Sequence, residues 1–233
     1  MNISEFRRAF WTELDGARRN EPSSAHWYPE VRKRLDLCPG VEGMLSIKKQ
    51  RLINLAYRFL DVGEAYFEVG TFQGKSLISA MVGNPIRPTY ACDNFSEFDI
   101  NSLSITLRNL ERYGLRDKVR FYDCDFSGVY TSQNLPDPLG FYFYDGAHDE
   151  MSQYLGIKLA EPFLADEALV LVDDWRLASD SGSYAKDGTM RAVEESTNEW
   201  QLMYELPARL NGDRALWWNG VGVLSFKRKS NVA

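Results

Sequence analysis

Residues 65–76 read AYFEVGTFQGKS. A short run of aromatic and apolar residues, two glycines and then the apolar stretch Leu77 to Val82 read as strand, tight turn and helix. Gly70 lets the chain leave the strand sharply, and Gly74 lets a ligand or strand approach the helix that follows. The alternation then continues. TYACDN reads as a strand before a helix from about Ile105 to Tyr113, and KVRFYDCD and GFYFYDG are further strands. A helix carrying Met151, Tyr154, Leu155, Leu159, Phe163 and Leu164 precedes the strand ALVLVDDW. Five strand signals with helical or loop crossovers predict an α/β fold: a doubly wound, mostly parallel sheet with helices on both faces. A helix near Gly188 to Thr197 and strands at Trp200 to Leu206 and GVGVLSF complete seven strands. The link between the last two, Pro207 to Trp217, is too short for a helical crossover, so they pair antiparallel at the sheet edge.

Upstream, Ile3, Phe6, Phe10 and Leu14 fall at helical spacing, and residues 21–46 are irregular, with Pro22, Pro29, Pro39, Gly40 and Gly43. A second helix places Leu52, Leu55, Ala56, Phe59 and Leu60 on its apolar face and Lys48, Lys49 and Arg51 on its polar face. The domain reading is an N-terminal helical or irregular extension, 1–46, followed by one ligand-binding domain, 47–233.

The chain of 233 residues is 44 % hydrophobic and 13 % aromatic, which excludes disordered and fibrous classes. Its longest aliphatic run, Ala168 to Val172, is far short of the roughly 20 residues that cross a bilayer. The N-terminus lacks the apolar core of a secretory signal, so a cytoplasmic location with no membrane partner is the expectation. Cys38, Cys92 and Cys124 are odd in number and unpaired in spacing, as suits reduced core thiols. The net charge of −6 is uneven: residues 1–58 carry 11 basic and 7 acidic side chains, and the remainder carries 16 and 26. An acidic body disfavours nucleic acid.

Ligands of open α/β sheets bind beyond the carboxyl ends of the strands. Those ends here are Glu68-Val-Gly70, Asp93-Asn94, Asp123-Cys124-Asp125, Asp145-Gly146 and Asp173-Asp174. One such acid is commonly a cap or turn residue; five in register make a site. Asp93 stands 19 residues past Gly74, where a carboxylate accepts ribose hydroxyls. Phe72 occupies the second glycine position of a G-x-G-x-x-G turn, which removes the close cradle for a pyrophosphate. A nucleoside without phosphates, such as S-adenosylmethionine, fits better than a nicotinamide dinucleotide. Asp145 and Asp173 end successive strands, about 5 Å apart if those strands are neighbours, and carboxylates that close call for a cation of the Mg²⁺ or Ca²⁺ type. Few histidines and no paired cysteines speak against structural zinc.

The order Glu68, Gly70, Gly74, Asp93, Asp125, Asp145 and Asp173-Asp174 resembles a class I S-adenosylmethionine-dependent methyltransferase. FYDGAHDE followed by VDDW is similar to the macrocin and related sugar O-methyltransferases and, more distantly, to catechol O-methyltransferase. The resemblance implies that Glu68, Gly70, Phe72, Gly74 and Ser76 surround the methionine part of the cofactor. Asp93, with Asn94 beside it, would hold the ribose, and Asp125 with Phe126 would border the adenine. Gly43 and Met44 would be further contacts. It implies Asp145, Asp173 and Asp174 as ligands of Mg²⁺ or another divalent cation, and His148 as general base acting beside catalytic Asp145. The expected reaction is methyl transfer to a hydroxyl of a small molecule, a natural-product sugar or a catechol. A metal-independent small-molecule methyltransferase and a non-catalytic nucleoside-binding module are the alternatives. His148 is expected in the first turn of a helix, and His26 as a surface or packing residue. The N-terminal segment is expected to border the acceptor, form a homo-oligomer contact, or both.

Overall fold

The computed structural model describes residues 1–18, 35–97, 101–214 and 216–230, with backbone alone at 15–18. His26 and much of the irregular stretch lie outside the described residues. In chain order the elements are α1 (Ile3–Arg18), α2 (Ile47–Arg58), β1 (Ala65–Val69), α3 (Lys75–Met81), β2 (Thr89–Asp93) and α4 (Ser102–Arg112). Then come β3 (Arg120–Asp123), β4 (Leu139–Tyr144), α5 (Glu150–Ala160), β5 (Leu164–Asp173), α6 (Tyr184–Glu194), β6 (Glu199–Leu206) and β7 (Val221–Lys227).

The seven strands form one sheet in the order β3-β2-β1-β4-β5-β7-β6. β1 to β5 are mutually parallel. β7 runs antiparallel to both neighbours and lies between β5 and β6. From β1 the winding goes outward through β2 and β3, then returns to start again at β4. The order therefore reverses between β1 and β4, and the crevice beyond that point is where such sheets take ligands.

Side chains alternate across the sheet as the pleat requires. Phe141 and Phe143 of β4 and Leu169 and Leu171 of β5 pack with the apolar faces of α1, α2 and α3. Tyr142 and Tyr144, with Val170 and Val172, pack on the other face with Ile157 and Ala160 of α5 and Ala185 and Ala192 of α6. α1 shares the first of these cores: Phe6 and Phe10 are fully buried, and the Phe10 ring stacks on Tyr204 of β6 at 4.1 Å. Burying a Phe side chain stabilises by about 1.5–3 kcal/mol, so this N-terminal helix is fastened to the sheet by its apolar stripe.

One sequence expectation is corrected here. Lys48 and Lys49 do not form a solvated face of α2: they are 4 % and 0 % exposed. The reason is tertiary: α2 packs against the sheet, and the Lys49 ammonium pairs there with the buried Asp173.

Candidate active site

The turn after β1 is tied to the neighbouring strand by Asp93. Its Oδ2 accepts the backbone N–H groups of Thr71 and Phe72, each at 2.7 Å, and its Oδ1 accepts that of Phe95 at 2.7 Å. One carboxylate thus fixes two loops. Gly70 holds φ at +83° beside β4, and a Cβ there would run into the Asp145 carbonyl. Asp145 in turn donates its N–H to the Val69 carbonyl at 2.8 Å. The end of β1 and the end of β4 are therefore locked together.

A cavity of about 730 Å³ opens over these strand ends. Gly70, Phe72, Asp93, Asn94, Asp125, Phe126, Asp145, His148, Asp173 and Asp174 all line it, with Met44 from the segment before α2. Glu97, Tyr184 and Trp218 line it too, none of them singled out from the sequence. The sequence does give one signal for Trp218 and Tyr184: both lie in or next to polar, glycine-containing stretches that follow the carboxyl end of β5 or precede β7.

Glu68, Gly43, Gly74 and Ser76 are absent from that lining. Glu68 is fully buried under the turn, accepting a hydrogen bond from Ser76 Oγ at 2.7 Å and another from Tyr66. Burial pushes its carboxyl up to about 8, against which the two hydroxyl hydrogen bonds act. Ser76, on α3, is spent on this contact. Gly74 caps α3 in the left-handed conformation at φ +85°, and Gly43 packs against Lys75. These four shape the turn from outside the cavity wall.

The acids at the ends of β4 and β5 are sorted by what surrounds them. Ligand atoms of Asp145, His148 and Asp174 all lie within 4.8 Å of one another. Burial, then the nearby charges of Asp173 and Asp174, hold the Asp145 carboxyl well above the usual carboxylate range. Asp173, in side-chain contact with Asp145, also meets a cation of the chain. It is 3 % exposed and forms a buried ion pair with Lys49 of α2, while its Oδ1 also accepts the Asp174 N–H at 2.8 Å. Burial raises the Asp173 carboxyl, and Lys49 is the largest influence acting against it. The cation that close carboxylates demand is thus supplied in part by the protein, from a residue the sequence reading put in solvent.

His148 stands between two carboxylates, Nδ1 at 3.3 Å from Glu97 and Nε2 at 3.3 Å from Asp174. The Tyr184 hydroxyl donates to the same Asp174 oxygen at 2.8 Å. The expected helical position of His148 is corrected: α5 begins at Glu150, and Asp149 is its N-cap, accepting the Ser152 N–H at 2.9 Å. The imidazole precedes the helix and leans over the cavity. At the far end Asp125 accepts the Ser127 N–H at 2.9 Å and opens a short 3-10 turn beneath Phe126.

Among the described residues, the non-glycine residues with positive φ are Phe72 (48°), Phe95 (51°), Asp174 (51°) and Trp218 (58°). Every one of them lines this cavity.

Solved structures share this fold. A methyltransferase of Podospora anserina, PaMTH1, bound to SAH, is 13 % identical over 99 % of this chain and 97 % of its own, with a TM-score of 0.59. The O-methyltransferase TomG of Streptomyces achromogenes, involved in tomaymycin synthesis and solved with SAM, is 15 % identical over 98 % and 100 %, with a TM-score of 0.58. An O-methyltransferase of Bacillus cereus in complex with SAH is 13 % identical over 97 % of each chain, with a TM-score of 0.58. No curated protein matches at the sequence level. A family model described as a methyltransferase domain matches residues 67–175, the span from β1 to the end of β5 that carries most of the cavity wall. By that match residues 67–175 resemble a methyltransferase domain, and the chain shares the fold of these methyltransferases solved with SAM or SAH.

Proposed function

We propose that the protein transfers a methyl group from S-adenosylmethionine to a hydroxyl of a small molecule, with a divalent cation, Mg²⁺ by its ligand chemistry, held beside the acceptor. The observation that carries this reading is the meeting, in one cavity, of the turn after β1 and the ends of β2 and β3 with the Asp145–His148–Asp174 cluster. The volume of about 730 Å³ lies in the usual range for small-molecule sites, roughly 300–1,000 Å³, and leaves room for two small ligands together. Oxygen donors fit the cation: Mg²⁺ is commonly held by one or two carboxylates and completes its shell with water and substrate oxygens. Asp145 and Asp174 are those carboxylates in this reading.

When bound, the cofactor supplies an electrophilic methyl and the cation lowers the pKa of the acceptor hydroxyl. The remaining work falls to the chain. Asp93 fixes the two loops that border the cofactor, and Phe126 offers an aromatic edge at the far end. Phe72, Phe95, Trp218 and Tyr184 give the cavity aromatic walls that exclude water. His148 takes the hydroxyl proton. A neutral imidazole has one N–H to share between Glu97 and Asp174; once protonated it donates to both. The Tyr184 hydroxyl, hydrogen-bonded to Asp174, keeps that carboxylate oriented.

No described helix is long and apolar enough to cross a membrane, and the acidic body supports a small acceptor over nucleic acid. The free cysteines support a reducing, cytosolic setting. The N-terminal segment supplies Met44 to the cavity, and its exposed Trp11 is a candidate self-association contact.

Calorimetry with S-adenosylmethionine and S-adenosylhomocysteine, with and without Mg²⁺ and a chelator, tests the reading. Binding of both nucleosides is expected, followed by methylation of hydroxyl acceptors in a mass-spectrometric screen. If neither nucleoside binds, the proposal is wrong.

A further inference from the structure

Two cysteines meet where the cavity runs over the ends of β2 and β3. Cys92 of β2 is fully buried and Cys124 is exposed, and both line the cavity. Asp93 lies opposite Asp123 in the parallel pair, so Cys92 precedes that position on one strand and Cys124 follows it on the other. The Cys92 thiol donates to the Cys124 carbonyl at 3.1 Å, and the two side chains are themselves in hydrogen-bond contact. Their surroundings differ. Burial, then the adjacent Cys124, hold the Cys92 thiol well above its ordinary value, which leaves it inert towards solutes. Cys92 is also anchored: its carbonyl accepts the Gly70 N–H at 2.9 Å, and β2 is paired on both sides. Cys124 instead ends the edge strand β3, directly before the Asp125 cap of the turn that carries Phe126. The third thiol, Cys38, is buried apart from them against the Ser79 hydroxyl at 3.2 Å.

We propose that Cys92 and Cys124 form a reversible oxidation site, closed to a disulfide by a hydroperoxide, and that closure weakens ligand binding at the β2–β3 end of the cavity. The chemistry takes two steps. The exposed Cys124 sulfur takes an oxygen from hydrogen peroxide, becomes a sulfenic acid and releases water. The Cys92 sulfur then attacks the Cys124 sulfur: the S–S bond forms, the S–O bond breaks, and the Cys92 proton departs with the hydroxyl as a second water. Two thiols thus lose two electrons and two protons, and the peroxide takes up both. A disulfide draws the two Cβ atoms to about 3.8 Å. Because Cys92 is anchored through Gly70 and both neighbouring strands, the adjustment falls on Cys124, and Asp125 and Phe126 move with it. Those two residues border the nucleoside in the cofactor reading above, on which the expected loss of affinity rests. Small thiols reverse the bond by exchange.

The test treats the reduced full chain with stoichiometric hydrogen peroxide, then counts thiols in denaturant, maps peptides without reductant and measures S-adenosylhomocysteine binding by calorimetry. Wild type should fall from three thiols to one, Cys38, with the Cys92 and Cys124 peptides joined at a mass two hydrogens below their sum. Affinity for S-adenosylhomocysteine should drop about tenfold, the order lost with one aromatic contact, and return on adding dithiothreitol. Cys124→Ser should keep both remaining thiols under the same treatment. Cys92→Ser should stop at a Cys124 sulfenic acid that dimedone traps. A wild-type protein that keeps three thiols, or in which Cys124 runs on to the sulfinic acid with no link to Cys92, overturns the proposal. A mapped Cys92–Cys124 link with unchanged S-adenosylhomocysteine affinity overturns the effect on binding. Absence of S-adenosylhomocysteine binding in the reduced protein is a different outcome: it removes the cofactor reading, and the oxidation site then stands or falls on the mapped link alone.

Discussion

Replacing Gly70 by Ala probes the joint between β1 and β4. The residue sits at φ +83°, and the added Cβ would overlap the Asp145 carbonyl and lie 3.1 Å from the Gly146 nitrogen. Two costs are expected. The left-handed backbone is disfavoured for Ala by roughly 1–2 kcal/mol. The overlap is with backbone, which cannot swing away as a side chain tip does, so the end of β4 must move by something on the order of 1 Å. Since the Asp145 N–H is bonded to the Val69 carbonyl, β1 and β4 cannot part freely there. Asp145 and, with it, His148 would be displaced, and a misplacement of about 1 Å costs on the order of 10²-fold in rate. Gly83→Ala is the control: φ is +77° and nothing lies within 4 Å of its added Cβ, so only the backbone cost applies. For a chain of this size 1 kcal/mol corresponds to about 2–4 °C in melting temperature. Melts, methyl-transfer kinetics and S-adenosylhomocysteine calorimetry on both variants separate the effects. Gly83→Ala should lose a few degrees and keep full turnover, while Gly70→Ala should lose more stability and about 10²-fold in turnover. Wild-type turnover in Gly70→Ala, with a stability loss no larger than that of the control, would refute the locked joint.

His148→Ala should lower turnover by about 10²–10⁴-fold while S-adenosylhomocysteine affinity stays near wild type; full turnover removes His148 as base. Glu68 bears on pH. Its folded carboxyl is raised to about 8, so its stabilising share is complete below the unfolded value of about 4.3 and is lost as pH rises through about 8. Glu68→Gln should flatten that decline in melts between those limits, and an unchanged slope would contradict it. Glu205 is the mirror case. Hydrogen bonds from Arg176, then Lys186 and Trp175, hold it down at about 2, so its stabilisation is present above about 4.3 and fades as pH falls towards 2; acid melts of Glu205→Gln should show a smaller loss than wild type over that window. Phe10→Ala should cost about 3–5 kcal/mol in denaturant unfolding, because the side chain is fully buried against Tyr204. A cost below about 1 kcal/mol would mean that α1 is not part of the core.

The parallel half of the sheet was legible because its signals are local. AYFEVGTFQGKS carries strand, turn and helix within a dozen residues, and each later strand ends in an acid that marks the same edge. The antiparallel pairing of β6 and β7 followed from a connection too short for a helix. That β7 inserts between β5 and β6 did not follow, since it depends on which strand finds the open edge of β5. The site divides in the same way. Residues at strand ends, such as Asp145 and Asp174, are placed by the sheet itself. Lys49 was hidden because a lysine in an amphipathic helix has the pattern of a solvated face, and only the tertiary position of α2 brings it to Asp173. Glu68 and Ser76 were assigned to the cavity from the turn they belong to, but the pleat points Glu68 beneath it, where Ser76 joins it. Glu97 and Trp218 come from loops whose course no periodicity encodes, and Tyr184 opens α6 at a point set by the loop before it.

The left-handed residues around the cavity bear on attempts to reshape it. Phe72, Phe95 and Trp218 each hold a bulky side chain where the backbone favours glycine or asparagine, at roughly 1–2 kcal/mol apiece. A library at these positions that is sorted for heat resistance alone will therefore enrich small residues and strip the pocket of its aromatic walls. β-Branched residues will be scarce in any folded survivor. Diversification for new acceptors should start from positions of ordinary backbone, such as Met44 and Tyr184, and keep the three aromatics as fixed frame.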